Sequence, residues 1–366
     1  MTDKNQLVRP DLRALEGYHS PQLDVEVRLN TNEAPTPPPD AFGDELAQAI
    51  TSIEWHRYPD RQATDLRQSI ADMHGVDPSQ VMVANGSNEV LQTICLTFGG
   101  AGRTVATFEP TYAMHGQIAR TVQCDVVEGE RNDRFELEAG ELSRVISESR
   151  PAITFLCSPN NPTGTPESLE NIELALNEAP GVVVVDEAYG QFAAFTALDL
   201  LAKSGGAGSD LPLLVTRTFS KTWSMAGARL GYVIGPAWMI TEMENVLLPY
   251  HLDTAKQLAG TIALKYRTEM NARVAAIMEE RGRISHALSD LGFQVWPSQA
   301  NFLLFRTTPT GRGGDDVWQA LVERSVLVRN CSSWPRLDGC LRVTVGSPDD
   351  NDRFLDALAD LMEARS

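Results

Sequence analysis

Short apolar runs alternate with amphipathic stretches through the middle of the chain. Runs rich in Val, Ile and Leu predict strands that are buried on both faces, and the segments between them carry apolar side chains at helical spacing. This alternation is typical of a mainly parallel sheet that is sandwiched by helices. The predicted strands are VMVA (81–84), TVATF (104–108), CDVVE (124–128), AITFLC (152–157), GVVVVDEAY (181–189), LPLLVTRTF (211–219) and RLGYVIG (229–235).

Helices are predicted before and between these strands, and the pattern changes after residue 249. A long helical region is then followed by short strands and two further helices, which indicates a smaller α+β domain. The predicted helices cover 40–53, 63–74, 87–98, 112–121, 137–149, 167–177 and 254–291, with two more around Val317 and Phe354. The late strands are FQVW (293–296), ANFLLF (300–305), SVLVRN (325–330) and CLRVTV (340–345).

The predicted organisation is an α/β protein in three parts. Residues 1–39 form an irregular arm that lies on the fold, because the prolines of NEAPTPPPD exclude a regular helix. Residues 40–249 form the large domain, and residues 250–366 form the small C-terminal domain.

Charge and composition exclude several classes of protein. The net charge of −18, without any Lys/Arg-rich run, argues against nucleic acid as a partner. No apolar stretch is long enough to cross a membrane, and the polar N-terminus does not resemble a signal peptide. Five cysteines without a C-x-x-C motif indicate reduced thiols and a cytoplasmic protein. The histidines lack zinc-ligand spacing, so no metal site is expected.

Polar residues gather at the carboxyl ends of the predicted strands, which is where ligands bind in a doubly wound sheet. We expect these side chains to converge on one rim. The candidates are Gly86, Ser87 and Asn88 after the first strand, Tyr112 after the second, Asn161 in SPNNPTG, Asp186 and Tyr189 in VVDEAY, and Thr218, Ser220 and Lys221 in TRTFSK.

Each candidate also has an ordinary interpretation. NGSNE suits a helix N-cap, SPNNPTG suits a plain turn, and most lysines are solvated surface charges. The segment FGGAGR (98–103) lacks the order of a nucleotide-binding loop and is predicted to be a turn. Asp186 could cap a strand, yet a carboxylate that follows four valines is buried on one side and needs a partner.

Taken together, the candidates suit pyridoxal 5′-phosphate. That cofactor requires a lysine to bond with its aldehyde, a carboxylate that faces its pyridine nitrogen, donors to its ring oxygen and a phosphate site. Lys221, Asp186 and the stacking ring of Tyr112 are the predicted catalytic residues. The predicted cofactor contacts are Gly86, Ser87, Asn88, Ser220 and Arg229 at the phosphate, Asn161 and Tyr189 at the ring oxygen, and Thr218 beside them.

Three motifs in this order, SPNNPTG, VVDEAYGQF and TRTFSKTWSMAGARLGY, resemble those of the fold-type I pyridoxal-phosphate aminotransferases. Within that group, RLNTNEAPTPPP, HRYPD, NGSNE and LPYHL resemble the histidinol-phosphate aminotransferases, particularly the actinobacterial ones. The resemblance implies transamination between L-histidinol phosphate and 2-oxoglutarate, which gives imidazole acetol phosphate and L-glutamate in histidine biosynthesis.

The same resemblance implies further roles. It implies a homodimer in which Tyr58 of HRYPD reaches the cofactor phosphate of the other subunit. It also implies that Arg329 and Arg342 bind the substrate. Tyr18 and Asn32 of the N-terminal arm, which covers the pocket, are likewise expected to bind the substrate.

The sequence departs from the family pattern at two places. It reads NEAPT at 32–36, where the family often shows NENPY, and Asn88 replaces a frequent acidic residue. Three alternatives stay open. They are an aminotransferase for aromatic or other amino acids, a pyridoxal-phosphate-dependent decarboxylase of a phosphorylated amino acid, and a non-catalytic regulator, for which the chain lacks a basic DNA-binding segment.

Overall fold

The computed structural model describes residues 7–13, 15, 17 and 21–363, and the strands of this part of the chain form two sheets. The strands are β1 (Val27–Leu29), β2 (Val81–Ala84), β3 (Thr104–Glu109), β4 (Asp125–Glu130), β5 (Ile153–Cys157), β6 (Val182–Asp186), β7 (Leu213–Thr218), β8 (Gly231–Ile234), β9 (Gln294–Val295), β10 (Phe302–Arg306), β11 (Val326–Asn330) and β12 (Cys340–Thr344).

Twelve α-helices accompany the strands in the described residues. They are α1 (Asp40–Thr51), α2 (Thr64–His74), α3 (Ser87–Phe98), α4 (Met114–Thr121), α5 (Ala139–Ser149), α6 (Leu169–Glu178), α7 (Leu198–Lys203), α8 (Ala237–Glu244), α9 (Thr254–Ala263), α10 (Arg267–Asp290), α11 (Gly314–Glu323) and α12 (Pro348–Glu363). None of the described helices is both long and apolar enough to pass through a membrane.

The larger sheet has seven strands in the order β2-β8-β7-β6-β5-β3-β4. All its strands run parallel except β8, which is antiparallel to β2 and to β7. Strands β5, β6 and β7 are buried along their whole length, as continuous apolar runs require when helices cover both faces. The predicted α/β fold with a mainly parallel sheet is confirmed.

The register of the central strands brings the predicted site residues to one edge. Cys157 at the end of β5 pairs with Asp186 at the end of β6, and Asp186 pairs with Thr216 on β7. Because the three strands are parallel, the segments that follow them leave the sheet side by side. SPNN, DEAY and TFSK therefore face the same rim.

The smaller sheet has the order β1-β11-β12-β10-β9 and is antiparallel except for the pair β1 and β11. Strand β1 belongs to the N-terminal segment, so the expectation that the first forty residues are irregular was wrong at this point. Three residues are too few for a clear alternation, and their partner β11 lies about three hundred residues further on, so the sequence offered no local signal. The predicted domain boundaries stay predictions.

The helical region predicted at 254–291 is divided in two. A 3₁₀ turn over Leu264–Tyr266 separates α9 from α10. Helix α9 begins after Asp253, whose carboxylate accepts a hydrogen bond from the backbone N–H of Lys256, so its start has a regular N-cap. Two short helices, α7 and α8, were not predicted.

Candidate active site

A cavity of about 130 Å³ opens at the carboxyl ends of β5, β6 and β7. It is bounded by residues from both sheets and from the segment that follows β1. The predicted site residues that line it are Asn32, Ser87, Asn88, Tyr112, Asn161, Asp186, Tyr189, Thr218, Lys221, Arg229 and Arg342. The convergence expected from the strand ends is therefore present in the structure.

Asp186 is buried at the floor of this cavity and is held by three donors. Its Oδ1 accepts hydrogen bonds from the Thr216 hydroxyl at 3.0 Å and from the backbone N–H of Ala188 at 3.1 Å. Its Oδ2 lies 3.0 Å from Nε2 of His115, whose ring is stacked on Phe155. A carboxylate fixed in this way presents a negative charge at a defined place in the cavity.

Lys221 extends into the same cavity from the turn after β7. Its Nζ donates a hydrogen bond to the carbonyl oxygen of Thr31 at 3.1 Å and lies 5.8 Å from the centre of the Tyr189 ring. Burial lowers the pKa of the Lys221 amine to about 7, and the positive charges of Arg342 and Arg229 act in the same direction while Glu33 opposes them. Near neutral pH a large fraction of the amine is therefore unprotonated, and in this form it can act as a nucleophile or as a base.

The N-terminus of α3 forms the opposite end of the cavity. Gly86 has a φ of +84°, and a Cβ atom at this position would lie 2.8 Å from Nη2 of Arg229. A Cβ at Gly231 would lie 2.4 Å from the backbone nitrogen of Ser87. Only glycines allow this close approach of strand, helix and guanidinium. Backbone N–H groups and a cation thus meet at one point, which suits a phosphate.

Hydroxyl groups complete this end of the site. Ser220 does not line the cavity itself, but its Oγ accepts hydrogen bonds from Thr218 Oγ1 at 3.0 Å and from Nη1 of Arg229 at 3.3 Å. Tyr112 donates its hydroxyl hydrogen to Oδ1 of Asn88 at 3.1 Å. Asn88, where the sequence departs from the family pattern, therefore still provides an acceptor for the Tyr112 hydroxyl.

Arg342 closes the cavity from the small sheet. Its Nη1 donates to Oδ1 of Asn161 at 2.5 Å and its Nη2 donates to the carbonyl oxygen of Asn30 at 2.9 Å. Its Nε is buried and has no hydrogen-bond partner among the described residues. The guanidinium carbon lies 5.2 Å from the centre of the Phe302 ring. Such an arginine retains capacity to bind a further anionic group.

A second cavity of about 590 Å³ adjoins the first, and the two share Tyr112, Asn161 and Arg342. It also contains Arg329, which was predicted to bind substrate but does not line the first cavity. The guanidinium carbon of Arg329 lies 5.3 Å from the centre of the Trp334 ring. This wider space has arginines on one wall and aromatic rings on others.

One predicted residue lies away from both cavities, and another cannot be placed. Tyr58 is 80% exposed and stacks on Tyr250, with ring centroids 4.6 Å apart. Tyr18 lies outside the described residues. Within its own subunit, Tyr58 therefore lines neither cavity. Its predicted contact with a cofactor requires a second subunit.

Sequence reasoning missed several groups of the site. His115 could have been found, because it lies three residues after Tyr112 in the predicted helix 112–121, a spacing that brings two side chains together. The carbonyl oxygens of Asn30 and Thr31 carry no side-chain signal. Cys157 lines the first cavity but is the final residue of an apolar strand, where it reads as a core residue.

Residues 25–358 match the family described as aminotransferase class I and II. The chain belongs to this family. A histidinol-phosphate aminotransferase from Corynebacterium diphtheriae is 40% identical to it, over 97% of this chain and 96% of the relative.

Solved structures share the fold. The histidinol-phosphate aminotransferase from Sinorhizobium meliloti, in complex with pyridoxal-5′-phosphate, has a TM-score of 0.83 at 20% identity and covers 98% of each chain. The L-threonine-O-3-phosphate decarboxylase from Porphyromonas gingivalis has a TM-score of 0.78 at 22% identity, over 92% of this chain and all of that one. At these identities the likeness concerns the fold alone, since one fold supports different reactions.

The aminotransferase depends on pyridoxal 5′-phosphate, as its family membership indicates. The residues present fit this group. The glycine cradle beside Arg229 suits a phosphate, the buried carboxylate of Asp186 suits a pyridinium nitrogen, and Lys221 lines the same cavity.

Proposed function

We propose that this aminotransferase transfers the amino group of L-histidinol phosphate to 2-oxoglutarate, giving imidazole acetol phosphate and L-glutamate in histidine biosynthesis. The observation that carries the proposal is the pair of buried arginines, Arg329 and Arg342. They lie beside a cavity that contains Lys221, whose pKa is lowered to about 7. The 40% identity to the Corynebacterium diphtheriae histidinol-phosphate aminotransferase supports the choice of substrate.

Several residues of the first cavity are candidates to hold the cofactor. When bound, pyridoxal phosphate supplies an aldehyde that takes up the amino group and a ring that accepts electrons. Asp186 would face the ring nitrogen and keep it protonated by a charge-assisted hydrogen bond. Asn161 and Tyr189 would hold the ring oxygen, and Tyr112 would cover the face of the ring.

The phosphate is held at the N-terminus of α3. Gly86, Ser87 and Asn88 present the first turn of the helix, whose unpaired N–H groups favour an anion. Arg229 adds a charged fork, and the hydroxyls of Thr218 and Ser220 orient that fork.

Lys221 moves the proton of the reaction. Burial lowers the pKa of its amine to about 7, so a large fraction of the amine is neutral at physiological pH. Its Nζ would accept the Cα proton of the amino donor and hold it for return in the same half-reaction. The second substrate runs through the same steps in the reverse direction.

Substrate recognition rests on the arginines of the small sheet. Arg342 has an unengaged Nε among the described residues and lies next to Asn161, so it binds the phosphate or carboxylate of the substrate. Arg329 adds a second positive charge in the wider cavity, where the rings of Tyr112 and Trp334 provide apolar surface for an imidazole. Asn32 and Tyr18 belong to the arm that was expected to cover this space.

The working unit is proposed to be a homodimer in the cytoplasm. Tyr58 and Tyr250 form an exposed aromatic stack, and Leu248 beside them is 77% exposed. Exposed apolar groups of this kind mark a surface that another chain covers. In the dimer, Tyr58 reaches the cofactor phosphate held by the other subunit.

The wider cavity with its aromatic walls also suits an aromatic amino acid, so one second candidate is a broad-specificity aromatic aminotransferase. A steady-state assay with 2-oxoglutarate tests the proposal by measuring L-glutamate formed from L-histidinol phosphate. Lys221→Ala is expected to abolish turnover, and Lys203→Ala, at an exposed position, is the matched control that keeps it. Full activity of Lys221→Ala, or no glutamate from the unaltered enzyme, would refute the proposal.

A further inference from the structure

Residues 30–33 form a backbone segment that lies between the two sheets and contacts the reactive lysine. The carbonyl oxygen of Asn30 accepts from Nη2 of Arg342 at 2.9 Å, and that of Thr31 accepts from Nζ of Lys221 at 3.1 Å. The next two carbonyls, of Asn32 and Glu33, accept from Nδ2 of Asn301 at 3.2 and 3.4 Å. Four successive carbonyl groups thus accept hydrogen bonds from side chains around the site.

This pattern depends on an unusual backbone conformation at Asn32. Its φ is +55°, in the left-handed region that side chains other than glycine rarely adopt, although asparagine tolerates it better than most. The turn that this φ produces sends the carbonyl of Thr31 toward Lys221 and that of Asn32 toward Asn301. A residue in the usual region would direct the carbonyl groups elsewhere.

Thr344, at the end of β12, holds Asn32 in this conformation. Its hydroxyl accepts from the backbone N–H of Asn32 at 2.9 Å and donates to Oδ1 of Asn32 at 3.1 Å. The side-chain amide of Asn32 donates in turn to the Tyr189 hydroxyl at 2.8 Å. Asn32 is only 2% exposed, and these contacts use its carboxamide within the protein.

We propose that Asn32 is a positioning residue for Lys221. Its left-handed backbone, fixed by Thr344, keeps the carbonyl oxygen of Thr31 as the acceptor that orients the lysine amine. This role differs from the substrate contact expected from the sequence. The inference rests on the proposed function, in which Lys221 bonds to the cofactor and transfers the proton.

The physical reason is the flexibility of lysine. Its four-carbon stem has several rotatable bonds, so an amine without a fixed acceptor spreads over many rotamers. The Thr31 carbonyl selects one of them, with the amine directed into the cavity beside Tyr189. Preorganisation of this kind speeds a bond-forming step without adding a contact to the ligand.

Two matched pairs of variants separate the backbone effect from side-chain loss. Asn32→Gly and Asn32→Ala both remove the carboxamide, but only glycine adopts positive φ without steric cost. Thr344→Val removes the hydroxyl that holds Asn32, whereas Thr344→Ser keeps it. Thermal unfolding of all four variants identifies any that do not fold, and the second pair serves if the first fails.

The measurement is the rate at which cofactor-free enzyme captures pyridoxal phosphate on Lys221, after borohydride reduction and mass spectrometry of the lysine peptide. Asn32→Ala is expected to be slower than Asn32→Gly by roughly five- to thirtyfold, from the steric preference of glycine in this region. Thr344→Val is expected to be slower than Thr344→Ser. The affinity for pyridoxamine phosphate, which has no aldehyde, is expected to differ by no more than about twofold between the members of each pair, because neither member alters the phosphate cradle.

Equal capture rates for Asn32→Ala and Asn32→Gly, or a Thr344→Val rate equal to that of the unaltered enzyme, would overturn the inference. Failure of the unaltered enzyme to capture pyridoxal phosphate at Lys221 would instead refute the proposed function. The two failures are therefore distinguishable in one experiment.

Discussion

Arg329 and Arg342 stand directly opposite each other on the antiparallel strands β11 and β12. Residues opposite each other across an antiparallel pair project to the same face, so both guanidinium groups border the wider cavity. Two buried positive charges on one wall create a strong preference for an anionic ligand. This local arrangement offers an anionic ligand a positively charged site in a protein of net charge −18.

Substitution of Arg342 tests this arrangement. Arg342→Ala is expected to lower kcat/KM for L-histidinol phosphate by on the order of ten- to a hundredfold, mainly by raising KM, because charged hydrogen bonds to the substrate are lost. The affinity for the cofactor is expected to change little. Steady-state kinetics and a cofactor titration measure the two quantities.

Arg306→Ala is the matched control, since Arg306 stacks on Trp296 and donates to the carbonyl of Asp338 away from both cavities. It is expected to keep the KM of the unaltered enzyme. An unchanged KM in Arg342→Ala would remove the substrate assignment of that arginine.

Mixing two inactive variants tests the predicted role of Tyr58 across the dimer. In a dimer of one Lys221→Ala chain and one Tyr58→Ala chain, one site receives an intact lysine from the Tyr58→Ala subunit and an intact tyrosine from the Lys221→Ala subunit. Random pairing then restores roughly a quarter of the activity, because half of the dimers contain one complete site. The activity of the mixture after unfolding and refolding together measures this recovery.

No recovery in a mixture that forms dimers would contradict the prediction, because a tyrosine that acted within its own chain could not complete either site. Each variant refolded alone provides the baseline.

The pH dependence of cofactor capture follows from the lysine environment. Burial lowers the pKa of Lys221 to about 7, and only the neutral amine attacks an aldehyde. Capture is therefore expected to fall about tenfold per pH unit below about pH 7 and to level off above it. Rates measured on cofactor-free enzyme from about pH 5.5 to about pH 10.5 cover the range. A midpoint near the ordinary lysine pKa would contradict the structure.

The larger sheet and most of the cavity lining could be predicted from the sequence. Buried strands leave continuous apolar runs, and in a parallel sheet their carboxyl ends share an edge, so Asp186 and Lys221 were expected to meet. These two residues could be predicted because their side chains carry the reactive groups. Each also follows an apolar run that predicts a strand.

Other features had no local signal. The pairing of β1 with β11 joins residues far apart in sequence, and the acceptor of the Lys221 amine is a backbone carbonyl, that of Thr31. The placement of Arg329 beside a separate cavity depends on its register against Arg342, which a single strand does not reveal. Such features appear only when tertiary contacts are known.

The most direct test of the central claim is the half-reaction of the cofactor-loaded enzyme with single amino donors. The absorbance of the bound cofactor is followed after addition of L-histidinol phosphate or of L-phenylalanine. Conversion by L-histidinol phosphate is expected to be at least about a hundredfold more efficient than conversion by L-phenylalanine, because only the first donor offers a phosphate to Arg342 and Arg329. Equal or faster conversion by L-phenylalanine, or no spectral change with L-histidinol phosphate, would contradict it.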